Sequence, residues 1–341
     1  MFTSSAIVPA DVSSIPRNTR NGSYIERTNA EFLRATYIRL VTSVLITDFV
    51  ATIFRHDPYY SLGPTYNTAL PDNQPVPLPP TLASLSPPTL HFVRGVAFLI
   101  LVQQSLASCL TMHDLVQYYI FGHFSPIRRE PWWHPTQWGS PMAVADRGYA
   151  GFWGTWWHQS FRNIFTAPTD YLIQLGVLSG PRSKGAQRTN LFFPFFVSAV
   201  LHAAASHMAP GPTRAWQPFA FFASASFGVA MQDGVCGVLD RYCGDKDEGL
   251  DPKRPDGPRW QRPIWLRRTV NLLYVALWLL ISYRPLMEDM ASSGFLQYEP
   301  SPVSFARILG LGRRGDEQIL RGSHWPWWHH GEHWWESGLA V

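Results

Sequence analysis

Five stretches of this 341-residue chain approach the length and apolarity that a helix needs to cross a bilayer: Arg34 to Phe54, His91 to Met112, Asn190 to Met208, Trp216 to Leu239 and Ile264 to Tyr283. About 20 residues are needed, because a helix rises ~1.5 Å per residue through ~30 Å of hydrocarbon. In lipid every backbone N–H and C=O must be bonded within the protein, so such stretches dictate helices. None is a clean aliphatic block: Asp48, Arg94, Gln103, Gln104, His202 and Asp233 interrupt them. A charge at mid-membrane costs about 2.5–3.5 kcal/mol, so these residues should face the protein interior or a wet cavity. The competing reading is a soluble bundle with buried amphipathic helices; the irregular, Trp-rich connections argue against it. The expected fold is an all-α, polytopic integral membrane bundle of about five spans. A short apolar stretch from Asp170 to Leu178 leaves room for up to about seven.

Charged residues make up 15% of the chain, well below the roughly 25% of a soluble domain, and fifteen tryptophans raise the aromatic share to 14%. The net charge of +4 is spread along the chain, which argues against nucleic acid as a partner. Cys109 and Cys236 lie in apolar runs and Cys243 in a charged stretch, a spacing that suits neither zinc nor a disulfide framework. Basic residues concentrate before the first span, between the second and third (Arg128, Arg129, Arg147, Arg162, Arg182, Lys184, Arg188), and between the fourth and fifth. Under the positive-inside rule these segments and the N-terminus are cytosolic. The linear partition is a polar segment 1–33, a membrane domain 34–283 and a tail 284–341. That tail carries His324, His329, His330 and His333 among Trp325, Trp327, Trp328, Trp334 and Trp335. The histidine spacing is compatible with a metal, but no Cys or acidic partners support one, and an interfacial Trp anchor is the preferred reading.

Chemistry concentrates between Gly151 and Phe165, where three tryptophans sit beside His158, Gln159, Arg162 and Asn163. Aromatic rings with polar edges suit a half-buried site at a membrane surface. An interfacial aromatic belt with ordinary polar residues is the alternative. A second feature lies in the third span, where His202 is surrounded by Ser198, Ala199, Ala203, Ala204, Ala205 and Ser206. Small neighbours allow close approach of a helix or ligand, and an intramembrane ionisable residue is a functional candidate, the alternative being a structural histidine bonded to a carbonyl on the next helix. His207 is rotated about 140° from His202 on a helix and reads as interfacial.

These segments, Phe152-Trp-Gly-Thr-Trp-Trp-His-Gln159 with Phe161-Arg162, Phe196-Val-Ser-Ala-Val-Leu-His202, and Phe227-Gly-Val-Ala-Met-Gln-Asp-Gly-Val235, occur in an informative order. Together they resemble the wax-synthase-like branch of the membrane-bound O-acyltransferases, above all fungal members that acetylate terpenoid and meroterpenoid alcohols. The similarity runs from about Ser13 to Tyr283. It implies that His202 is the catalytic histidine and that His158 is the histidine of the Trp-His-Gln block. Three departures stand out. The chain is short before Ser13, which implies a truncated gene model or a reduced active form. Gln232 stands where relatives often carry Glu, and the spacer from Pro210 to Trp216 is compact.

The resemblance implies an acyl-CoA-dependent O-acetyltransferase that acts on a hydrophobic secondary metabolite in the endoplasmic reticulum membrane. A His base accepts the hydroxyl proton at neutral pH, and donors such as Gln159, Asn163 or a Trp indole meet the oxyanion. His202 is the expected base, assisted by His158 and Asn163. Trp157, Gln159, Arg162 and Asp233 are the expected substrate and CoA contacts, with Arg147 a further guess for phosphate. No bound cofactor, metal or protein partner is expected; acetyl-CoA, a hydrophobic alcohol and the bilayer are. A wax synthase making long-chain esters, and a non-catalytic transport or scaffold protein, remain as alternatives.

Overall fold

A computed structural model describes residues 24–61, 78–209, 211–243, 263–294, 296, 303–312, 327–329 and 338–340. In chain order the helices are α1 (Asn29–Phe54), the single turns α2 (Pro58–Ser61) and α3 (Pro80–Ala83), α4 (Pro87–Tyr119), α5 (Met142–Gly151), α6 (Arg162–Gln174), α7 (Lys184–Met208), α8 (Trp216–Cys243), α9 (Ile264–Ser292) and the short α10 (Phe305–Ile308). A π-helical turn, Phe152–Trp156, follows α5 directly. Strands β1 (Trp327–His329) and β2 (Gly338–Ala340) pair antiparallel with Trp328 opposite Leu339, a small exception to an otherwise helical chain. The tail's His324, His330 and His333, and the side chain of His329, lie outside the described residues.

Helices α1, α4, α7, α8 and α9 are long and apolar enough to cross a membrane, and they are the five expected from the sequence. Each overruns its apolar stretch at one end or both. Backbone bonding does not stop at the hydrocarbon edge, and local signals set the true ends. Ser183 caps α7 by accepting the Ala186 N–H at 3.2 Å, and Pro87 and Pro88 open α4, where missing N–H groups cost nothing. Helix α9 continues past Tyr283 to Ser292, so no break marks the boundary expected there. Helix α6 covers most of the short apolar stretch expected around Asp170 to Leu178. With 13 residues it is only about 20 Å long and does not span.

The faces of the long helices reverse the pattern of a water-soluble protein. On α1, Thr36, Ser43 and Thr47 are buried while Ile38, Val41, Leu45 and Phe49 are exposed along one stripe. Val270, Leu273, Leu277 and Ile281 form the same exposed stripe on α9, and Phe227, Met231, Val235 and Val238 on α8. Hydrocarbon is as apolar as leucine, so the apolar face turns outward and the small polar residues mediate helix contact.

The chain divides into two compact units, each drawn from distant parts of the sequence: 1–37 with 110–289, and 38–109 with 290–341. Within the second unit the intramembrane charges find partners. Arg94 donates to both oxygens of Asp57 at 2.7 Å, and Asp48 accepts the Ala306 N–H at 2.8 Å at the start of α10. The first unit holds all the residues of the expected site. There Phe32 stacks against the His134 ring at 5.1 Å, and Tyr24 and Thr136 bond reciprocally at 2.8 Å. Asp289 ties the end of α7 to the start of α8 by accepting from Ser206 Oγ at 2.9 Å and the Arg214 N–H at 2.7 Å.

Candidate active site

The segment carrying His158 is shaped by a glycine. Gly148 adopts φ 59°, ψ −134° inside α5, and a Cβ there would lie 2.2 Å from Gln232 Nε2. Only glycine combines that backbone with that approach. The Gln232 side chain fills the space: its Oε1 accepts the Tyr149 N–H at 2.7 Å, and its Nε2 donates to Arg147 O at 3.2 Å and Asn271 Oδ1 at 3.3 Å. Asn271 donates in turn to Ala145 O at 2.8 Å. The kinked end of α5 is thereby fastened to α8 and α9. Gln232 does this with an acceptor and a donor at once, which an ionised glutamate lacks.

Beyond the kink the helix widens into the π-turn, closed by the Trp157 N–H donating to Phe152 O at 2.7 Å. At Trp157 the backbone turns extended and presents His158 off the helix end. Phe152 stacks on Trp157 with centroids 5.5 Å apart and planes 13° from parallel. A loop some twenty residues upstream clamps this stretch: Gln137 O accepts the Gln159 N–H at 2.8 Å, Gln137 Oε1 accepts from Ser160 at 2.8 Å, and Gly139 N–H donates to Trp156 O at 3.2 Å. Trp138 packs edge-on against Trp157 at 5.2 Å and His158 at 6.0 Å.

His158 Nδ1 is buried and has no hydrogen-bond partner among the described residues. Burial, reinforced by the nearby His202 imidazole, lowers its pKa to about 4, so the ring is neutral at physiological pH. His202, on α7, is near enough for its imidazole to act on His158. Its Nδ1 lies 2.7 Å from Ser198 O, and a carbonyl only accepts, so Nδ1 carries the proton and the Nε2 lone pair is free. The ring rests on Phe222 of α8 with centroids 4.0 Å apart and remains accessible. A continuous aromatic wall joins the two histidines: Phe222 to Trp153 at 6.1 Å, Trp153 to Trp157 at 5.8 Å, Trp157 to His158 at 5.8 Å.

Residues 133–224 match the model of the membrane bound O-acyl transferase family. Both histidines, the π-turn, Trp138 and Phe222 lie within that segment, which is narrower than the range over which the sequence resemblance was read. The chain is also similar to curated acetyltransferases. The acetyltransferase spyB of Aspergillus fumigatus is 29% identical over 184 residues, covering 52% of this chain and 31% of the relative. The acetyltransferase pyr8 of Aspergillus fumigatus is 35% identical over 130 residues, covering 38% and 27%. The acetyltransferase TRI7 of Fusarium sporotrichioides is 28% identical over 191 residues, covering 52% and 39%. The matched stretch thus spans 27% to 39% of the length of these relatives. No solved structure matches the chain.

The structure brings together His158, His202 and Trp157 from the expected site. Arg162 and Gln159 sit close by but bond to each other and to the π-turn: Arg162 donates to Gly154 O at 2.6 Å and Gln159 Oε1 at 2.9 Å, and Gln159 Nε2 donates to Trp157 O. Arg147 donates to Thr155 Oγ1 at 3.0 Å. Asn163 lies in the first turn of α6, and its side chain is outside the described residues. Asp233 is on α8, about 16 Å along the helix from the Phe222 that supports His202. Trp138 and Phe222 were not anticipated. Neither carries a local signal, because each reaches the histidines only through tertiary packing.

Proposed function

We propose that this chain is an O-acyltransferase that moves an acetyl group from acetyl-CoA to a hydroxyl of a hydrophobic alcohol, with His202 as general base. The observation that carries this reading is the His202 imidazole: its tautomer leaves Nε2 free, its ring is accessible, and a second neutral histidine stands beside it within the family-matched segment. The alcohol oxygen attacks the thioester carbonyl carbon while Nε2 takes the hydroxyl proton. The tetrahedral oxyanion collapses, the C–S bond breaks, and the CoA thiolate leaves and receives the proton from the imidazolium. Such general-base help is typically worth about 10²–10⁴ in rate.

The oxyanion needs donors, and the buried Trp138 Nε1, unpartnered among the described residues and beside His158, is a better candidate than Gln159, whose amide is engaged. Asn163 keeps its proposed assisting role. Arg162, exposed Arg147 and Asp233 remain the proposed contacts for CoA and acceptor. The relatives' names support acetyl as the transferred group; a terpenoid-type acceptor and the endoplasmic reticulum membrane are proposed from the motif resemblance alone.

Microsomes containing the protein, supplied with labelled acetyl-CoA and a panel of terpenoid alcohols, should form labelled ester. No ester with folded wild-type protein would overturn the activity. In His202→Ala, kcat should fall about 10²–10⁴-fold, and full activity would refute His202 as the base. Ester formed only from long-chain acyl-CoA would identify a wax synthase.

A further inference from the structure

The stretch from Gln137 to Gly139 clamps the segment that presents His158, and it carries Trp138, the proposed oxyanion donor. It has no helix or strand of its own, so its position must be fixed by what surrounds it. Three residues before Gln137 stands the buried imidazole of His134. Its Nε2 lies 2.8 Å from Arg128 O, and a carbonyl only accepts, so Nε2 carries a proton. Its Nδ1 faces the Asp114 carboxylate of α4 at 3.6 Å. Phe32 of α1, fully buried, stacks on the ring with planes 26° from parallel. Backbone, carboxylate and aromatic ring thus hold the imidazole from three directions.

Asp114 is buried as well, and a buried carboxylate is costly unless donors or cations face it. Two imidazoles do so, His134 and, at 3.7 Å, His113. His113 is exposed and its Nε2 accepts from Gln117 Nε2 at 3.1 Å, which makes His134 the enclosed partner. At 3.6 Å the contact is longer than a hydrogen bond and acts through electrostatic attraction. The path from this pair to the clamp is short and stiff. Pro135 follows His134 directly and fixes one φ angle. Thr136 then bonds Tyr24 through both backbone and hydroxyl at 2.8 Å, and its Oγ1 donates to Trp138 O at 3.1 Å. Little slack remains to absorb a displaced His134.

We propose that the buried His134–Asp114 pair is a positioning element of the active site, fixing the loop whose Gln137, Trp138 and Gly139 set His158 and the oxyanion donor. The pair acts through those residues and touches no substrate. The proposal rests on the acyltransferase reading for the reaction that is served. An oxyanion donor works on the transition state alone, so loss of the pair lowers kcat and leaves KM for acetyl-CoA in place.

Two readouts on the detergent-purified full chain separate this role from a general loss of stability. The first is hydrogen exchange, which needs no turnover. In His134→Ala and in Asp114→Ala, the amides of Gly139 and Gln159 should exchange about fivefold faster or more, while those of α7 around His202 keep wild-type rates. The second is transfer from labelled acetyl-CoA to a terpenoid alcohol. There kcat per folded molecule should fall about 10–10²-fold with KM for acetyl-CoA within about twofold. Asp114→Asn should return kcat to within about threefold of wild type, because a carboxamide can meet Nδ1 with either an N–H or an oxygen. Ser183→Ala, which removes the α7 cap, is the control: its Tm falls but its kcat per folded molecule does not. Should both alanine variants fail to fold, Phe32→Leu must still speed exchange at Gln159 at least about threefold and lower kcat. Wild-type exchange at Gly139 and Gln159 in the variants, or faster exchange with unchanged kcat, would overturn the proposal. No ester from wild type sinks the acyltransferase reading; faster exchange at those amides then still upholds the hold on the loop, and unaltered exchange overturns it.

Discussion

His158 is neutral because burial and a second imidazole make its charged form costly, and that has a consequence for stability. With the pKa at about 4 in the folded protein and 6.5 as the ordinary value, the unfolded chain takes up a proton first as pH falls. Stability from this residue is therefore complete above about pH 6.5 and is lost as pH falls toward the folded value, by about 3 kcal/mol in all. Thermal unfolding in detergent between about pH 7.5 and pH 5 should show a fall of about 2 kcal/mol from this source. His158→Gln should lack that component, and parallel wild-type and variant profiles would contradict it. The individual histidines were legible in the sequence, since each stands in an unusual setting. Their partnership was not. Positions 158 and 202 share no period or element, and only the packing of α7 on the π-turn region makes them neighbours.

At the level of elements, the segment presenting His158 depends on one glycine and one carboxamide. Gly148→Ala combines a left-handed φ with a Cβ driven into Gln232, and should cost about 1–3 kcal/mol or more. Gln232→Glu keeps the acceptor for Tyr149 N–H but sets a carboxylate oxygen against Arg147 O and Asn271 Oδ1. The expected loss is about 1–3 kcal/mol from the broken pairings, read as a lower Tm, with the Asn271 to Ala145 bond weakened in parallel. An unchanged Tm in Gln232→Glu would show that the carboxamide is not the clamp. The apolar stretches announced the five long helices because hydrocarbon length leaves them no choice. The kink, the π-turn and the non-spanning α6 left no such trace, since each arises from side chains meeting across the fold. Gln232, which stands where related sequences often carry Glu, is engaged here by Tyr149 N–H, Arg147 O and Asn271 Oδ1.

At the scale of the molecule, the charge distribution fixes a testable orientation. We expect the region between α4 and α7, which contains His158, on the cytosolic side where CoA is available. A glycosylation acceptor inserted between Gly180 and Ser183 should stay unmodified, and one inserted between Ser61 and Leu78 should be glycosylated; the opposite result would invert the arrangement. That the chain is a helical membrane protein was readable from composition and length, whereas its grouping into two units of interleaved segments was not. Such grouping reflects which helices touch, and lipid-facing stripes look alike whichever neighbour they flank. The bond from His202 to Ser198 carries a last implication. Because the ring is oriented by the carbonyl one turn back on its own helix, its tautomer is set within α7 alone. Under the proposed mechanism, substitutions in the surrounding aromatic wall reshape what is admitted without changing which nitrogen is basic.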